Sequence, residues 1–209
     1  MKLSNHTTSV LKNFATINQN LVIKEGNEMS TMSAMKNIVA RATVEETFPK
    51  EIAIYDLNEF LASLSIFKSP VLEFEEQYLT IKEEDQPHKK LTYFYSDPSV
   101  VQSPTKTITM PSEEVKFHLD MNKLLEMKRA AGVIGSPDMV LQKSSGNSSL
   151  LVKDKKNDTA NNYSSDIKTD GDGEYKFFFK VENLKLFDGD YDVKILSLIH
   201  ISEPTRPNC

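Results

Sequence analysis

Cysteine is almost absent from this chain of 209 residues, since the only one is the last residue, Cys209. With only one cysteine, disulfides and thiolate metal clusters are excluded. No apolar run approaches the roughly 18 residues that cross a bilayer. The N-terminal Met1–His6 stretch lacks the apolar core of a signal peptide, so we expect an intracellular protein. The net charge of −5 argues against a uniformly basic nucleic-acid binder, though not against a local basic surface.

Recognisable catalytic or metal-binding patterns are also missing. The Asp170–Gly173 turn resembles the start of a calcium loop, but Tyr175 stands where that loop needs glycine. No nucleophile–base pair is present, and the four histidines are scattered singly: His6, His88, His118 and His200. We therefore predict no enzyme activity, no catalytic residue, no metal site and no cofactor.

One stretch, Glu51–Phe67, organises the rest of the chain. Its first apolar residues alternate, as in a half-buried strand. At Asp56 the period changes to that of an amphipathic helix, whose apolar positions are Leu57, Phe60, Leu61 and Leu64. The pattern predicts a strand that runs directly into a helix with Asp56 as N-cap.

The same construction returns 64 residues later, where Leu119–Leu125 aligns with Tyr55–Leu61. It predicts a strand at 115–119 and a helix at 120–131 that Gly132 stops. A looser third copy, Tyr175–Lys180, runs into a short helix predicted at 181–187. The recurrence indicates internal duplication, although any α+β protein contains some strand–helix junctions.

The remaining patterns complete two halves with a similar order of elements. We predict a first helix at 4–18, a hairpin turn at Gly26-Asn27, and short antiparallel strands elsewhere. A segment with three prolines predicts an extended linker at 98–112. It would separate a first domain at 1–97 from a second at 113–197.

The final segment, 198–209, has no periodicity. It looks like a translated sequencing adapter, so we expect a non-native tail in place of two further strands. A genuine disordered tail is the alternative.

The predicted helices are mildly basic although the chain is acidic. They hold six basic residues against four acidic ones, Glu59, Asp120, Glu126 and Glu182. The basic residues are Lys12, Lys68, Lys123, Lys128, Arg129 and Lys185. If their polar faces shared one surface, that surface would suit a phosphate backbone without reading sequence. Lysines on exposed helix faces are, however, more often simply solvated.

Two segments resemble a known family. They are MKLSNHTTSVLKNFATIN at 1–18 and AIYDLNEFLASLS at 53–65, and both are similar to the DNA polymerase sliding clamps of T-even-type tailed phages. Weaker similarity covers LLEMKR, FKVENLKL and GDYDVKIL.

The resemblance implies an α+β sliding-clamp fold of two similar domains, each with two helices packed on antiparallel sheets. It also implies a homotrimeric ring that encircles duplex DNA, tethers a DNA polymerase and is opened by a clamp loader. Such a protein would be phage-encoded, would act in the cytoplasm of the infected bacterial host, and would need neither a cofactor nor a membrane.

The resemblance assigns DNA contacts to Lys12, Arg129 and Lys185, which match basic positions of the family. Lys123 and Lys128 lie on the same predicted helix as Arg129, and we expect them among the DNA contacts too, although they look specific to this chain. Glu126 falls where a basic residue is expected. Lys2 and Lys68 are marginal candidates. Ring closure would pair strands near 89–96 and 159–168. The alternative hypothesis is an acidic two-domain adaptor that never contacts DNA.

Overall fold

The computed structural model describes residues 1–101, 103–104 and 114–196. It divides into two compact units, the first comprising Met1–Thr107 with Lys185–Phe187 and the second comprising Ile108–Leu184 with Asp188–Cys209. The expected tail at 198–209, and much of the expected linker at 98–112, lie outside the described residues. The first residues of that linker, Pro98–Val100, form a 3₁₀ turn capped by Asp97 rather than an extended segment.

The first unit combines two antiparallel sheets with two helices. One sheet has the strand order β3-β2-β1-β4 and the other β5-β6-β7. The elements are α1 (Asn5–Ile17), β1 (Leu21–Ile23), β2 (Gly26–Met32), β3 (Val39–Phe48), β4 (Ile52–Ile54), α2 (Leu57–Ser65), β5 (Pro70–Phe74), β6 (Tyr78–Glu83) and β7 (Gln86–Phe94). Both helices and both sheets contribute to one apolar core, which includes Leu11, Ile23, Phe60 and Ile81.

Helix α1 follows from its apolar spacing and its cap. Val10, Leu11 and Phe14 repeat at helical spacing and are buried, while the hydroxyl of Ser4 accepts a hydrogen bond of 3.1 Å from the backbone N–H of Thr7. The cap satisfies one of the N–H groups that the first turn leaves without a partner. The helix is therefore fixed by one face and one end, and its opposite face is exposed.

The second unit also has two antiparallel sheets, with strand orders β11-β10-β9-β12 and β13-β8. Its elements are β8 (Val115–Leu119), α3 (Met121–Ile134), β9 (Asp138–Ser144), β10 (Asn147–Lys153), β11 (Tyr163–Asp166), β12 (Tyr175–Lys180) and β13 (Tyr191–Ile195). Helix α3 buries Leu124, Met127 and Ala131. The α+β antiparallel architecture predicted from the sequence is confirmed.

The two predicted strand-to-helix junctions are present, one in each unit. Asp56 caps α2 by accepting hydrogen bonds from the backbone N–H groups of Asn58 and Glu59, at 2.9 and 3.2 Å. Asp120 caps α3 in the same way, accepting from the N–H of Lys123 at 2.9 Å. In each case an aspartate after a strand begins a helix almost without a loop.

Two local predictions were wrong in their boundaries. Helix α3 continues through Gly132 and ends at Gly135, which adopts a left-handed φ of 65° as its C-cap. The first hairpin turns at residues 24–25, and Gly26 instead begins β2 with a φ of 113°, where the pairing with β3 is irregular. Glycine serves both positions because it adopts positive φ without steric cost.

The predicted fourth helix at 181–187 was also wrong. The described residues contain only a single 3₁₀ turn there, Val181–Asn183. The segment that follows it, Lys185–Phe187, packs with the first unit. The described residues of the second unit therefore form one α-helix where two were expected.

Candidate nucleic-acid interface

Lys12 lies on the exposed side of α1. The residues that share this side are polar, and the helix contains no acidic residue. The buried side of the helix faces the core through Leu11 and Phe14. Because the backbone is held by that packing, the lysine is presented to solvent from a fixed support.

Lys185 is exposed, but it lies on no helix. Its carbonyl oxygen accepts a hydrogen bond of 3.2 Å from the side chain of Asn13, the residue after Lys12. Phe187 packs edge-on against His6, with ring centroids 5.9 Å apart. The segment therefore runs along α1, and it brings a second basic residue to that helix without needing a helix of its own.

The three basic residues of α3 have different surroundings. The ammonium of Lys123 lies 3.1 Å from the carboxylate of Glu126 and also donates a hydrogen bond to Ser165 on β11. Lys128 is half-buried and has interaction partners of its own, whereas Arg129 is exposed. Lys123 and Lys128 are five residues apart, about 140° around the helix. The three side chains therefore do not form one basic face.

Glu126 anchors α3 to the edge of its sheet. The hydroxyl of Tyr163 on β11 donates a hydrogen bond to this carboxylate, which lowers the pKa of Glu126, with a further contribution from Lys123. The same contact raises the pKa of Tyr163. The negative charge where the family resemblance calls for a basic residue thus takes part in a structural contact between helix and strand.

The helices as they are observed keep the excess of two positive charges that the sequence indicated, but fewer charged residues carry it. Helix α2 ends at Ser65, so Lys68 lies beyond it, and the backbone N–H of Lys68 binds Glu83 instead. The described α-helices hold four basic residues, on α1 and α3, and two acidic ones, Glu59 and Glu126. Lys2, the other marginal candidate, is paired with Glu84 at 2.5 Å. Lys12, Arg129 and Lys185 remain as exposed candidates for phosphate contacts.

Sequence reasoning missed an apolar groove beside α3. It has a volume of about 530 Å³ and runs between the helix and edge strand β11. Its wall includes Leu125, Val133 and Tyr163, whose exposed fractions are 38%, 79% and 39%. The apolar residues on the solvent side of the predicted helix were the available signal.

The first unit has a comparable groove of about 460 Å³ between α2 and edge strand β7. Phe94, at its rim, is 68% exposed, while Tyr93 is half-buried and donates a hydrogen bond of 3.4 Å to the carbonyl of Asp56. Burial raises the pKa of Tyr93 to about 12. Each unit thus carries a groove where a helix adjoins an edge strand, and each groove has an exposed apolar side chain in its lining, Phe94 in the first unit and Val133 in the second.

Two further kinds of site are absent from residues 1–101, 103–104 and 114–196. No group of three or more histidine, cysteine, aspartate or glutamate side chains there is arranged to hold a metal ion. Within the same ranges, no helix has the length and apolar character needed to cross a membrane.

Sequence comparison identifies named relatives. The family described as DNA polymerase processivity factor matches residues 2–101. The sliding clamp of Vibrio phage KVP40 is 32% identical over 201 residues, which span 93% of this chain and 90% of the relative. The sliding clamp of Enterobacteria phage T4 is 29% identical, over 91% of this chain and 85% of the relative.

Solved structures share the fold at low sequence identity. Proliferating cellular nuclear antigen from Entamoeba histolytica superposes with a TM-score of 0.64 at 10% identity, covering 90% of this chain and 84% of that one. The antigen from Thermococcus kodakaraensis gives 0.63 at 15% identity, with coverages of 90% and 85%. The fold of this chain is that of sliding clamps, and its phage relatives are sliding clamps as well. The chain therefore belongs to the sliding clamp family of DNA polymerase processivity factors.

Proposed function

We propose that the chain assembles as a homotrimeric ring that encircles duplex DNA and holds a DNA polymerase on its template. The observation that carries the DNA contact is the placement of Lys12 and Arg129 on the exposed sides of helices whose other sides are buried. Encirclement prevents dissociation, so a few weak, salt-sensitive contacts to phosphate suffice and none needs to read sequence. Lys185, held beside α1, adds to this set.

Ring closure is proposed at the edges of two sheets. Among the described strands, β7 pairs only with β6, and β11 pairs only with β10. An unpaired edge with exposed apolar side chains beside it is an aggregation hazard unless it serves an interface. We therefore infer that β7 of one subunit joins β11 of the next, with Phe94 and Val133 in the contact.

The domain limits, loading and location belong to the same proposal. Residues 1–97 and 113–197 would be the two clamp domains, joined by 98–112. A clamp loader would open the ring, and the protein would act in the cytoplasm of the infected bacterial host. The phage origin of the relatives supports that location, while the likeness to sliding clamps does not favour the adaptor hypothesis.

The DNA contact can be tested with charge reversal. We expect Lys12→Glu combined with Arg129→Glu to lower polymerase processivity and retention on circular DNA, since both residues are exposed and the phosphate backbone would then be repelled. Lys24→Glu with Lys36→Glu makes the same charge change on exposed turns of the first unit and should leave both unchanged. Normal processivity in the first variant would contradict the helix assignment. Retention that is equal on closed circular and linear templates would contradict encirclement.

The interface can be tested with Phe94→Glu and Val133→Glu, each at an exposed position. Light scattering of the parent chain should give the mass of three chains, and each variant should shift toward one chain. Met35→Glu, on a residue that is 85% exposed in the loop between β2 and β3, is the matched control and should stay trimeric. A monomeric parent at every concentration would overturn the ring and favour the adaptor.

A further inference from the structure

The sheet of β11, β10, β9 and β12 has one face turned to α3. Tyr163 and Ser165 on β11 contact Glu126 and Lys123 of that helix. Side chains alternate between the faces of a sheet. Ser164 lies between Tyr163 and Ser165, so Ser164 and its partner on β10, Leu151, lie on the opposite face. That face holds an apolar row in which Phe178 pairs with Val140, and Val140 pairs with Leu151.

Phe178 ends the row on β12 and is 40% exposed, whereas Val140 beside it is fully buried. Two ammonium groups lie over the ring of Phe178, that of Lys155 at 5.1 Å from its centroid and that of Lys176 at 5.5 Å. Both distances are within the range of cation–π attraction. We call Val140, Leu151, Lys155, Lys176 and Phe178 the Phe178 patch.

The two lysines of the patch lack the ion pairs that neighbouring lysines form. Lys180 pairs with the buried carboxylate of Asp138 at 2.7 Å, and Lys153 lies 3.7 Å from Asp158. Within the part of the chain that the structure describes, no carboxylate forms an ion pair with Lys155 or Lys176. The backbone N–H of Lys155 donates to Asp138 at 3.1 Å, but its ammonium and that of Lys176 lie at an exposed aromatic ring without an ion-pair partner among the described residues.

The arrangement distinguishes between two classes of anionic ligand. Single-stranded nucleic acid binds such surfaces by stacking bases on bare aromatic faces, but here ammonium groups already lie over the ring. The carboxylates of a peptide could instead bind the two ammonium groups in their present positions, while an apolar side chain of the same peptide packs against Leu151 and the edge of the ring. Charge complementarity therefore favours an acidic peptide.

We propose that the Phe178 patch docks an acidic segment of a partner protein, in which carboxylates flank an apolar side chain. The patch lies on the sheet face opposite α3, so this contact is separate from the DNA interface proposed above and does not depend on it. A clamp with such a patch could hold a second protein without releasing DNA.

A peptide probe tests the proposal on the full chain. We would titrate a short fluorescent peptide of repeated Glu-Glu-Leu units, and map its site by backbone amide NMR. The expected result is binding with shifts on β9, β10 and β12. The same peptide with Gln in place of Glu should bind weakly, and oligothymidine should not occupy the patch. Equal binding of the Gln peptide, shifts elsewhere, or tighter binding of oligothymidine at the patch would each overturn the proposal.

Variants separate this site from the helices. Lys155→Glu with Lys176→Glu should lower the affinity for the acidic peptide by about three- to tenfold or more, and it should leave DNA retention unchanged. Lys128→Glu with Arg129→Glu, the charge-matched control, should leave peptide binding unchanged. Phe178→Leu keeps apolar bulk but removes the ring, so it should also lower the affinity for the peptide. Thermal unfolding would confirm that the fold of this variant is intact. Unaltered peptide affinity in both patch variants would contradict the docking site whatever happens to DNA binding.

Discussion

The carboxylate of Glu46 on β3 accepts a hydrogen bond from the buried hydroxyl of Thr7 on α1, although 39 residues separate them in the chain. Its other oxygen accepts from the backbone N–H of Ser4, the N-cap of the helix. One side chain thus binds the two groups that define the start of α1. The position of the helix that carries Lys12 depends on this contact between helix and sheet.

We predict that Glu46→Gln lowers the free energy of unfolding by about 1–3 kcal/mol, because a buried donor loses its acceptor. Urea denaturation would measure the change. Glu45→Gln is the matched control, since Glu45 is exposed on the other face of β3, and it should change stability by less than about 0.5 kcal/mol. Equal stability of the two variants would mean that the contact contributes nothing.

The same contact predicts a dependence on pH. Burial alone would raise the pKa of Glu46, but the hydrogen bonds from Thr7 and Ser4 outweigh it and hold the pKa below its usual value. A lowered folded-state pKa contributes stability that is complete above the unfolded value, about 4.3, and is lost as the pH falls through the folded value. The stability difference between the parent chain and Glu46→Gln should therefore shrink in acid, below about pH 4.3.

Two glycines of α3 give a second, paired prediction. Gly132 lies inside the helix, and no atom lies within 4 Å of the position that a Cβ would take there, so Gly132→Ala should stabilise the fold by about 0.5–1 kcal/mol. Gly135 adopts a φ of 65° as C-cap, so Gly135→Ala should destabilise it by about 1 kcal/mol. Urea midpoints would measure both. Changes of the same sign would contradict the observed helix end.

These glycines also show how far sequence reasoning reaches. The caps Asp56 and Asp120 were predictable because a cap is a local contact between a side chain and the next turn. The end of α3 was not, because glycine inside a helix costs only about 1 kcal/mol, and burial of Ala131 supports the helix beyond that point. The helix was predicted to stop at Gly132 because a glycine is a local signal of a helix end, and the packing beyond it is not visible in that signal.

The candidate site was less predictable than the fold. Lys123 was expected among the DNA contacts, but its ammonium binds Ser165, which is 42 residues away in the chain. Lys185 was placed on a helix, and it reaches α1 through the side chain of Asn13 instead. Such long-range contacts follow from packing and leave no mark in the spacing of residues.

His118 and Asp192 give a third prediction, because they face each other across β8 and β13 at 3.0 Å. The hydrogen bond to Asp192 raises the pKa of His118, with smaller electrostatic contributions from Asp190 and Asp120. The pair should therefore favour the fold fully below the unfolded histidine value, about 6.5, and lose that contribution as the pH rises through the folded value. An NMR titration should show the His118 midpoint falling in Asp192→Asn. An unchanged midpoint would contradict the pairing.

The last prediction separates Lys123 from Arg129 at the proposed DNA surface. Lys123→Ala with Glu126→Ala removes an ion pair without changing net charge, so DNA retention should keep almost the same dependence on salt. Arg129→Ala removes an exposed cation. The slope of log affinity against log salt is negative, and its magnitude should decrease by about one for each phosphate that is no longer neutralised. Light scattering would confirm that both variants assemble as the parent does. If the neutral pair variant lowered the slope as much as Arg129→Ala, Lys123 would leave Glu126 to bind phosphate, and α3 would present a broader basic surface than its contacts indicate.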